Sequence, residues 1–212
     1  MGNQSDGALS RKERERRGHR RLILEAAEDL FAQNGYHETS MQQIADAAEF
    51  SVGSLYNMFE GKEQLYHELV EMRAEQYLQE VDRRLEEEAG PLEKLRCVVR
   101  CKLEFFDRHR QFFRIFANFA AGSEGGPAPM LSVECMETYA QYQEELAGVF
   151  TAGTRQGVFR EFDPGLGVLA LEGITNAIIG RWVHTGEKEL ESVSPEAVEQ
   201  ILLRGLLAGD EG

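Results

Sequence analysis

The stretch TSMQQIADAAEFSVGSLYNMF, residues 39–59, decides the fold of the first part of this chain. It holds two short helical patterns separated by a break at Glu49-Phe50-Ser51. Ser40 and Gln43 fit a capping box at the start of the first helix, and Ser51 fits an N-cap for the second. Two short helices joined by a turn of three or four residues form a helix-turn-helix.

The second of these helices combines an apolar inner face with an outer face of unusually little bulk. Small Ala45 lies where the two helices are expected to cross. Apolar side chains then close the angle between the helices: Ile44, Ala48, Phe50, Leu55 and Met58. A recognition helix must offer an outer face to base edges and phosphates without steric bulk. Gly53, Ser54 and Asn57 meet that requirement, so the pattern favours the major groove of DNA as a partner.

Glu49 departs from the usual pattern of such motifs, in which the turn position holds glycine. A left-handed conformation at a non-glycine residue costs about 1–2 kcal/mol. Either Glu49 adopts that conformation or the turn differs slightly. We expect a tolerated strain and no loss of function.

The net charge of −14 argues at first against a polyanionic partner, but its distribution argues otherwise. Residues 11–21, RKERERRGHRR, hold seven basic and two acidic groups, whereas residues 67–212 hold 15 basic and 26 acidic groups. Distant acidic surface is largely screened beyond about 8 Å at physiological salt. We expect residues 1–17 to be a disordered basic arm, either a solvated tail or a local contact for nucleic acid.

The remaining composition indicates a cytoplasmic protein. The N-terminus lacks the apolar stretch of a secretory signal, and three cysteines do not form a disulfide framework. The longest apolar stretch, residues 166–183, is interrupted by Glu172, Asn176 and Arg181, which argues against a membrane span.

Helical periodicity extends along the whole chain and predicts an all-α fold. Apolar residues from Ile23 to Phe31 follow helical spacing, and Asn34-Gly35 supplies a stop. A long helix is expected from Lys62 to Glu88. Further helices are expected at 91–107, 111–121, 130–156, 164–185 and 195–208, with a loop at 122–129. We divide the chain into the arm, a three-helix DNA-binding module at 18–78, and a helical ligand-binding and dimerisation domain at 79–212.

The run from residue 23 to residue 70 resembles the tetracycline-repressor (TetR) family of transcriptional regulators. The resemblance rests on AAEDLFAQNGY, TSMQQIADAA, SVGSLYNMF and KEQLY in this order and spacing. It implies a set of DNA contacts, to bases or to backbone phosphates: Thr39, Ser40, Ser51, Gly53, Ser54, Tyr56, Asn57 and Lys62. The alternatives are structural, since Ser40 and Ser51 also suit caps, Tyr56 suits packing, and Lys62 suits a pair with Glu63 or solvent.

The last two predicted helices carry the signal for self-association. The segment 164–185 is apolar on most of its circumference, so both of its sides must be covered. A twofold dimer uses the same patch on both copies. The predicted dimer residues are Leu169, Gly173, Ala177, Val198, Ile201 and Leu202. Two interior helices of a monomer are the alternative. A dimer in turn predicts a palindromic operator on double-stranded DNA.

Aromatic residues cluster between these parts and predict a pocket for a small-molecule effector, as the resemblance also implies. The candidates are Phe105, Phe112, Phe116, Tyr139, Tyr142 and Trp182. Plain core packing is the competing interpretation. Cys97 and Cys101 lack the histidines of a zinc site and fit buried small hydrophobes. No metal, cofactor or catalytic group is predicted.

Together these patterns predict a homodimeric, ligand-responsive regulator, a repressor released by an unidentified apolar or amphiphilic effector. One alternative is a constitutive DNA-binding repressor without a small-molecule input. Another is an all-α enzyme or interaction module that merely contains a helix-turn-helix shape.

Overall fold

A computed structural model describes residues 10–120, 132–185 and 200. The predicted all-α fold is confirmed. The helices within these ranges are α1 (Arg11–Asn34), α2 (Met41–Ala47), α3 (Val52–Tyr56), α4 (Lys62–Glu86), α5 (Pro91–Arg108), α6 (Arg110–Ala120), α7 (Val133–Arg155) and α8 (Pro164–Thr185). The predicted loop at 122–129 and most of the predicted helix at 195–208, with Val198, Ile201 and Leu202, lie outside the described residues.

Helix α1 begins at Arg11, ten residues before the predicted start at Arg21, so the expectation of disorder up to residue 17 is wrong for residues 11–17. Ser10 explains the difference. Its side chain accepts the Glu13 N–H while the Glu13 carboxylate accepts the Ser10 N–H at 2.8 Å, which completes a capping box. The prediction followed apolar spacing, and the first turns of α1 carry no apolar residue.

The turn between α2 and α3 has the conformation that a helix-turn-helix requires. Glu49 adopts φ 61°, the left-handed conformation predicted for the usual glycine position. The Phe50 N–H donates to the Ala45 carbonyl at 2.9 Å, and Ser51 caps α3 through the Ser54 N–H. Ala45 and Leu55 are fully buried. The two helices are therefore fixed at their crossing by small and apolar residues, as predicted.

The chain forms two compact units, and the boundary between Val70 and Glu71 falls inside the continuous helix α4. The sequence placed this boundary at residue 78. The first unit holds α1 to α3 and the start of α4. The second holds the rest of α4 together with α5, α7, α8 and α6 as far as Ala117, whereas residues 118–120 of α6 are grouped with the first unit. The roles assigned to the two units remain predictions.

The second unit has an apolar core built from α4, α5, α7 and α8. Its corner between α7 and α8 depends on two glycines. A Cβ atom on Gly153 would overlap the ring of Phe159, and one on Gly167 would lie 2.6 Å from Phe162. Phe150 packs against both of these phenylalanines, with ring centroids 6.0 Å and 5.5 Å away. The close approach leaves no room for a larger residue at either glycine.

A buried ion pair crosses this core. The Lys102 ammonium of α5 donates to the Glu172 carboxylate of α8 at 2.6 Å, and each side chain is 10% exposed. The hydroxyls of Tyr139 and Tyr142 donate to the same carboxylate at 3.1 and 3.2 Å. Burial lowers the pKa of Lys102, and Glu172 opposes that shift. Burial likewise raises the pKa of Tyr142 well above its usual value.

Helix α8 contains a segment, Pro164–Val183, that is long and apolar enough to cross a membrane by length and composition alone. Its mean hydropathy is 1.3, and 39% of it is buried inside the protein. Because Glu172 lies on the buried side in an ion pair, this side of α8 is part of the packed core of the second unit.

Candidate nucleic-acid interface and effector region

Helix α3 presents its small polar residues to solvent. Its inner side is anchored by Leu55 and, just beyond its end, by Phe59, which are 0% and 1% exposed. On the outer side Ser51, Gly53 and Asn57 are exposed, and a Cβ added at Gly53 would meet nothing closer than 4.0 Å. The side chains of Ser51, Gly53 and Asn57 are small and uncharged, which suits a major groove.

The two serines of α3 are partly engaged with each other. The Ser51 hydroxyl lies 2.7 Å from the Ser54 hydroxyl and 3.1 Å from the Ser54 backbone nitrogen. Ser40 likewise caps α2, with its own N–H donating to Gln43 at 2.8 Å. The capping alternative is therefore correct for Ser40 and Ser51. Both remain exposed, so each hydroxyl oxygen is still accessible to a phosphate or a base edge.

Tyr56 is the largest polar side chain on α3 and is 56% exposed. The competing interpretation, a packed tyrosine, does not describe this position. An exposed phenol at the end of a short helix can donate to a backbone phosphate, as serine, asparagine and tyrosine side chains often do in protein–DNA complexes.

Thr39 is buried and Lys62 is half-buried, and both are engaged in contacts within the first unit. Thr39 is 1% exposed, and its hydroxyl donates to the Gly35 carbonyl at 2.8 Å. The Lys62 ammonium donates to the carbonyls of Tyr36 at 2.6 Å and Thr39 at 2.8 Å and lies 4.4 Å from the centre of the Tyr36 ring. Burial lowers the pKa of Lys62. Both residues close the loop after α1, so we remove them from the predicted DNA contacts.

Arg20 is a structural residue that the sequence analysis missed. Its guanidinium forms an ion pair with Glu68 of α4, donates to the Met58 carbonyl at 2.9 Å, and lies 4.4 Å from the centre of the Phe59 ring. It therefore holds the chain segment after α3 between α1 and α4. No local pattern links Arg20 to Glu68, 48 positions later, so the sequence carried no signal for this contact.

Five of the six predicted effector residues belong to one connected group of rings among the described residues. Tyr142 contacts Tyr77, which contacts Phe105, with centroids 6.2 and 5.5 Å apart. Trp182 contacts Phe106 at 4.7 Å. Phe113 contacts both Phe105 and Phe106, which connects these two sets of rings, and it also contacts Phe112. Tyr139 contacts Tyr142 at 5.8 Å, and the side chain of Phe116 lies outside the described residues.

His109, at the end of α5, lies within this group, with its ring 4.4 Å from that of Phe105. Burial, together with the nearby cations Arg73 and Arg108, lowers the pKa of His109 to about 4, against a smaller opposing effect of Glu80. His109 is therefore neutral at physiological pH.

A groove of about 430 Å³ lies between α4 and α7 in the second unit. Its floor is apolar and includes Tyr142, which is one of the six predicted effector residues. Its rim carries four carboxylates: Glu75, Asp82, Glu134 and Glu145. An apolar floor with a polar rim suits a small molecule, but this rim repels an anionic one.

The outer side of α8 is an exposed apolar stripe. Leu166 and Leu169 are 61% and 67% exposed, and Gly173 and Ala177 on the same side are also exposed. The side of a helix that faces solvent normally carries polar and charged residues, so this stripe is unusual. It contains the three predicted dimer residues that the structure describes.

The cysteines Cys97, Cys101 and Cys135 are buried and form no disulfide. Burial raises the pKa of Cys101 to about 12, so its thiol is protonated and unreactive. Within the described ranges there is no group of three or more cysteine, histidine or carboxylate side chains that would hold a metal ion.

Comparisons with known proteins agree with this architecture. The family profile described as bacterial regulatory proteins, tetR family, matches residues 23–69, and the profile of a tetracyclin repressor-like C-terminal domain matches residues 88–206. The chain is 26% identical to the HTH-type transcriptional regulator YhgD of Bacillus subtilis (strain 168), over 86% of this chain and 92% of that protein.

Two solved structures show the same fold. PfmR, a TetR family regulator from Thermus thermophilus, is 29% identical, with a TM-score of 0.67 over 86% of this chain and 97% of that one. FadR from Bacillus subtilis, solved in complex with stearoyl-CoA, is 22% identical, with a TM-score of 0.68 over 87% of this chain and 98% of that one.

Proposed function

Because the chain belongs to the tetR family of bacterial regulatory proteins, we propose that it binds a palindromic operator as a homodimer and represses transcription. A small apolar or amphiphilic effector then releases it from the operator. Proteins of this family are DNA-binding transcriptional regulators and not enzymes. We place its action in the cytoplasm, where a bacterial operator lies.

The observation that carries the proposal is the outer face of α3. Five of the eight predicted contacts lie on α3 or at its caps, namely Ser51, Gly53, Ser54, Tyr56 and Asn57, and a sixth, Ser40, is exposed at the start of α2. In our proposal Asn57 reads base edges, since an amide pairs well with adenine in the major groove. Tyr56 and the serines contact phosphates and fix the register.

The test is selection of duplexes from a randomised pool, followed by mobility shifts at several salt concentrations. We expect a palindrome whose binding weakens steeply with salt. Asn57→Ala should lower the discrimination between operator and unrelated DNA by about 1–3 kcal/mol. Tyr56→Phe should weaken binding to all DNA sequences about equally. The matched control for Asn57→Ala is Gln141→Ala, which removes an exposed amide of the second unit. A protein that selects no sequence contradicts the proposal.

We propose that the exposed stripe on α8 forms the dimer interface with residues beyond the described ranges. Leu169→Glu puts a charge into the stripe and should convert the dimer to monomer in native mass spectrometry. Met136→Glu is the control, since Met136 of α7 is 51% exposed but lies outside the stripe. A monomeric wild-type protein, or a dimer insensitive to Leu169→Glu, argues against this interface.

For the effector, the α4–α7 groove and the adjoining ring cluster support a molecule with an apolar body. The relative FadR is solved with stearoyl-CoA, whereas the four carboxylates at the groove of this chain disfavour a polyanion there. The probes are therefore stearoyl-CoA, stearate and the lipophilic cation tetraphenylphosphonium, each added to the protein–operator complex. Release by none of them supports a constitutive repressor.

Helix α4 is the element through which we propose that the effector acts. Its first half is tied to the first unit by Arg20 through Glu68, and its second half places Tyr77, Leu78 and Val81 in the core of the second unit. A ligand shifts an equilibrium only by its differential affinity for two states. We expect a bound effector to change the distance between the two α3 helices of a dimer, measurable with spin labels. An unchanged distance and mobility contradicts this coupling.

A further inference from the structure

The first two turns of α1 form a cationic surface that the proposed function does not use. They are helical because of the Ser10–Glu13 capping box. Residues 10–17 are exposed, and the first buried residue of α1 is Ile23. The helix thus extends about three turns before its first buried residue, and the sequence of this extension is basic.

One stripe of this extension faces in a defined direction. Lys12, Arg16, His19, Arg20 and Ile23 follow i, i+4, i+7, i+8 and i+11 spacing, so they lie on one side of the helix. Ile23 packs in the core, and Arg20 contacts Glu68, Met58 and Phe59. His19 contacts the ring of Phe50 with centroids 5.1 Å apart. The stripe therefore points toward the helix-turn-helix, and Phe50 directly precedes the cap of α3.

Lys12 and Arg16 continue the stripe beyond the buried part of α1 without a partner among the described residues. Neither forms a hydrogen bond or ion pair with any residue that the structure describes. By contrast Arg11 pairs with Glu15, and Arg21 with Glu25, on other sides of α1. At 1.5 Å per residue, Arg16 and Lys12 lie about 4.5 and 10.5 Å from His19 along the axis. Both cations lie on the side of α1 that carries His19, whose ring contacts Phe50.

We propose that Lys12 and Arg16 bind backbone phosphates of the operator next to the segment read by α3. The inference rests on the proposed function, because it needs a DNA-bound protein. Phosphate contacts position a protein without reading sequence, so this surface adds affinity and salt dependence but no base preference. It extends the contacted duplex beyond each half-site.

The test compares the full-length protein with Lys12→Gln/Arg16→Gln on a duplex that the wild type selects from a randomised pool. Glutamine keeps the helix propensity of lysine and arginine. Two matched controls remove the same charge: Arg11→Gln/Arg21→Gln on other sides of α1, and Arg155→Gln/Arg160→Gln, both exposed in the second unit. Affinity is measured by fluorescence anisotropy over the range of about 50 to 200 mM salt.

Each lost phosphate contact should reduce the slope of log K against log salt by about 0.9, hence by about 3.6 for a dimer. Over this fourfold salt range the wild type should then lose about 150-fold more affinity than the double variant. The double variant should prefer the same DNA sequence as the wild type, and its hydroxyl-radical footprint on that duplex should be shorter at both ends. A slope equal to that of either control, with sequence-specific binding intact, overturns this inference alone. A wild type that binds no duplex overturns the proposed function as well.

Discussion

Replacing Lys102 by methionine tests how much the second unit depends on its buried charges. Methionine matches the length of the lysine side chain but leaves the Glu172 carboxylate, 10% exposed, without its 2.6 Å cationic partner. Breaking a buried pair by removing one partner destabilises a protein by about 3–5 kcal/mol. The hydroxyls of Tyr139 and Tyr142 still donate to this carboxylate, so we expect the lower end, about 3 kcal/mol.

The assay is urea unfolding followed by circular dichroism at one fixed protein concentration, since a dimer makes stability depend on concentration. With a slope of about 2–3 kcal/mol per molar, the midpoint should fall by about 1–1.5 M.

Two controls make the result specific. Lys94→Met changes a lysine of the same helix that pairs with no acid among the described residues, and it should shift stability by no more than about 0.5 kcal/mol. The double variant Lys102→Met/Glu172→Gln removes both charges and should regain most of the loss. The reasoning is refuted if Lys102→Met matches the wild type, or if the double variant is as unstable as the single one.

Three further outcomes follow from local geometry. Glu49→Gly relieves a left-handed conformation and should raise the free energy of unfolding by about 0.5–1 kcal/mol in urea titration, whereas an equal or lower value would contradict the strain. Gly153→Ala drives a methyl group into the ring of Phe159 and should lower that free energy by about 1–3 kcal/mol; the same change at Gly148, exposed with open space around it, should be neutral or stabilising. The pKa of His109 is lowered to about 4 in the folded chain, so between about pH 4 and 6.5 this histidine binds more protons in the unfolded chain than in the folded one. Stability from this group is present above that window and lost as the pH falls through it, by up to about 3 kcal/mol. His109→Phe should flatten this part of the pH profile, and an unchanged profile would refute the assignment.

The sequence predicted the helix-turn-helix well because its determinants are local. Caps at Ser40 and Ser51 and small Ala45 act within a few residues of their positions, and Glu49 stands where the turn demands a left-handed residue. The start of α1 was misplaced because its first turns are polar and carry no periodic signal.

What the sequence could not predict depends on contacts between distant residues. Lys62 was expected at a phosphate, but its acceptors are carbonyls 23 to 26 positions earlier in the chain. The pairing of Lys102 with Glu172 likewise joins two helices 70 positions apart. A charged residue in a helical pattern is expected to face solvent, so neither Lys102 nor Glu172 could be predicted as part of the core.

The absence of a break in α4 between Val70 and Glu71 has a consequence for protein engineering. Where a flexible linker tolerates added or deleted residues, a continuous helix converts each one into a rotation of about 100° and a shift of about 1.5 Å. A hybrid protein in which the second unit is taken from a relative must therefore be joined so that the helical phase of α4 is kept. Insertions of about one or two residues after Val70 should change the rotational phase of α4, whereas about seven, close to two full turns, should largely restore that phase while lengthening the helix by about 10.5 Å.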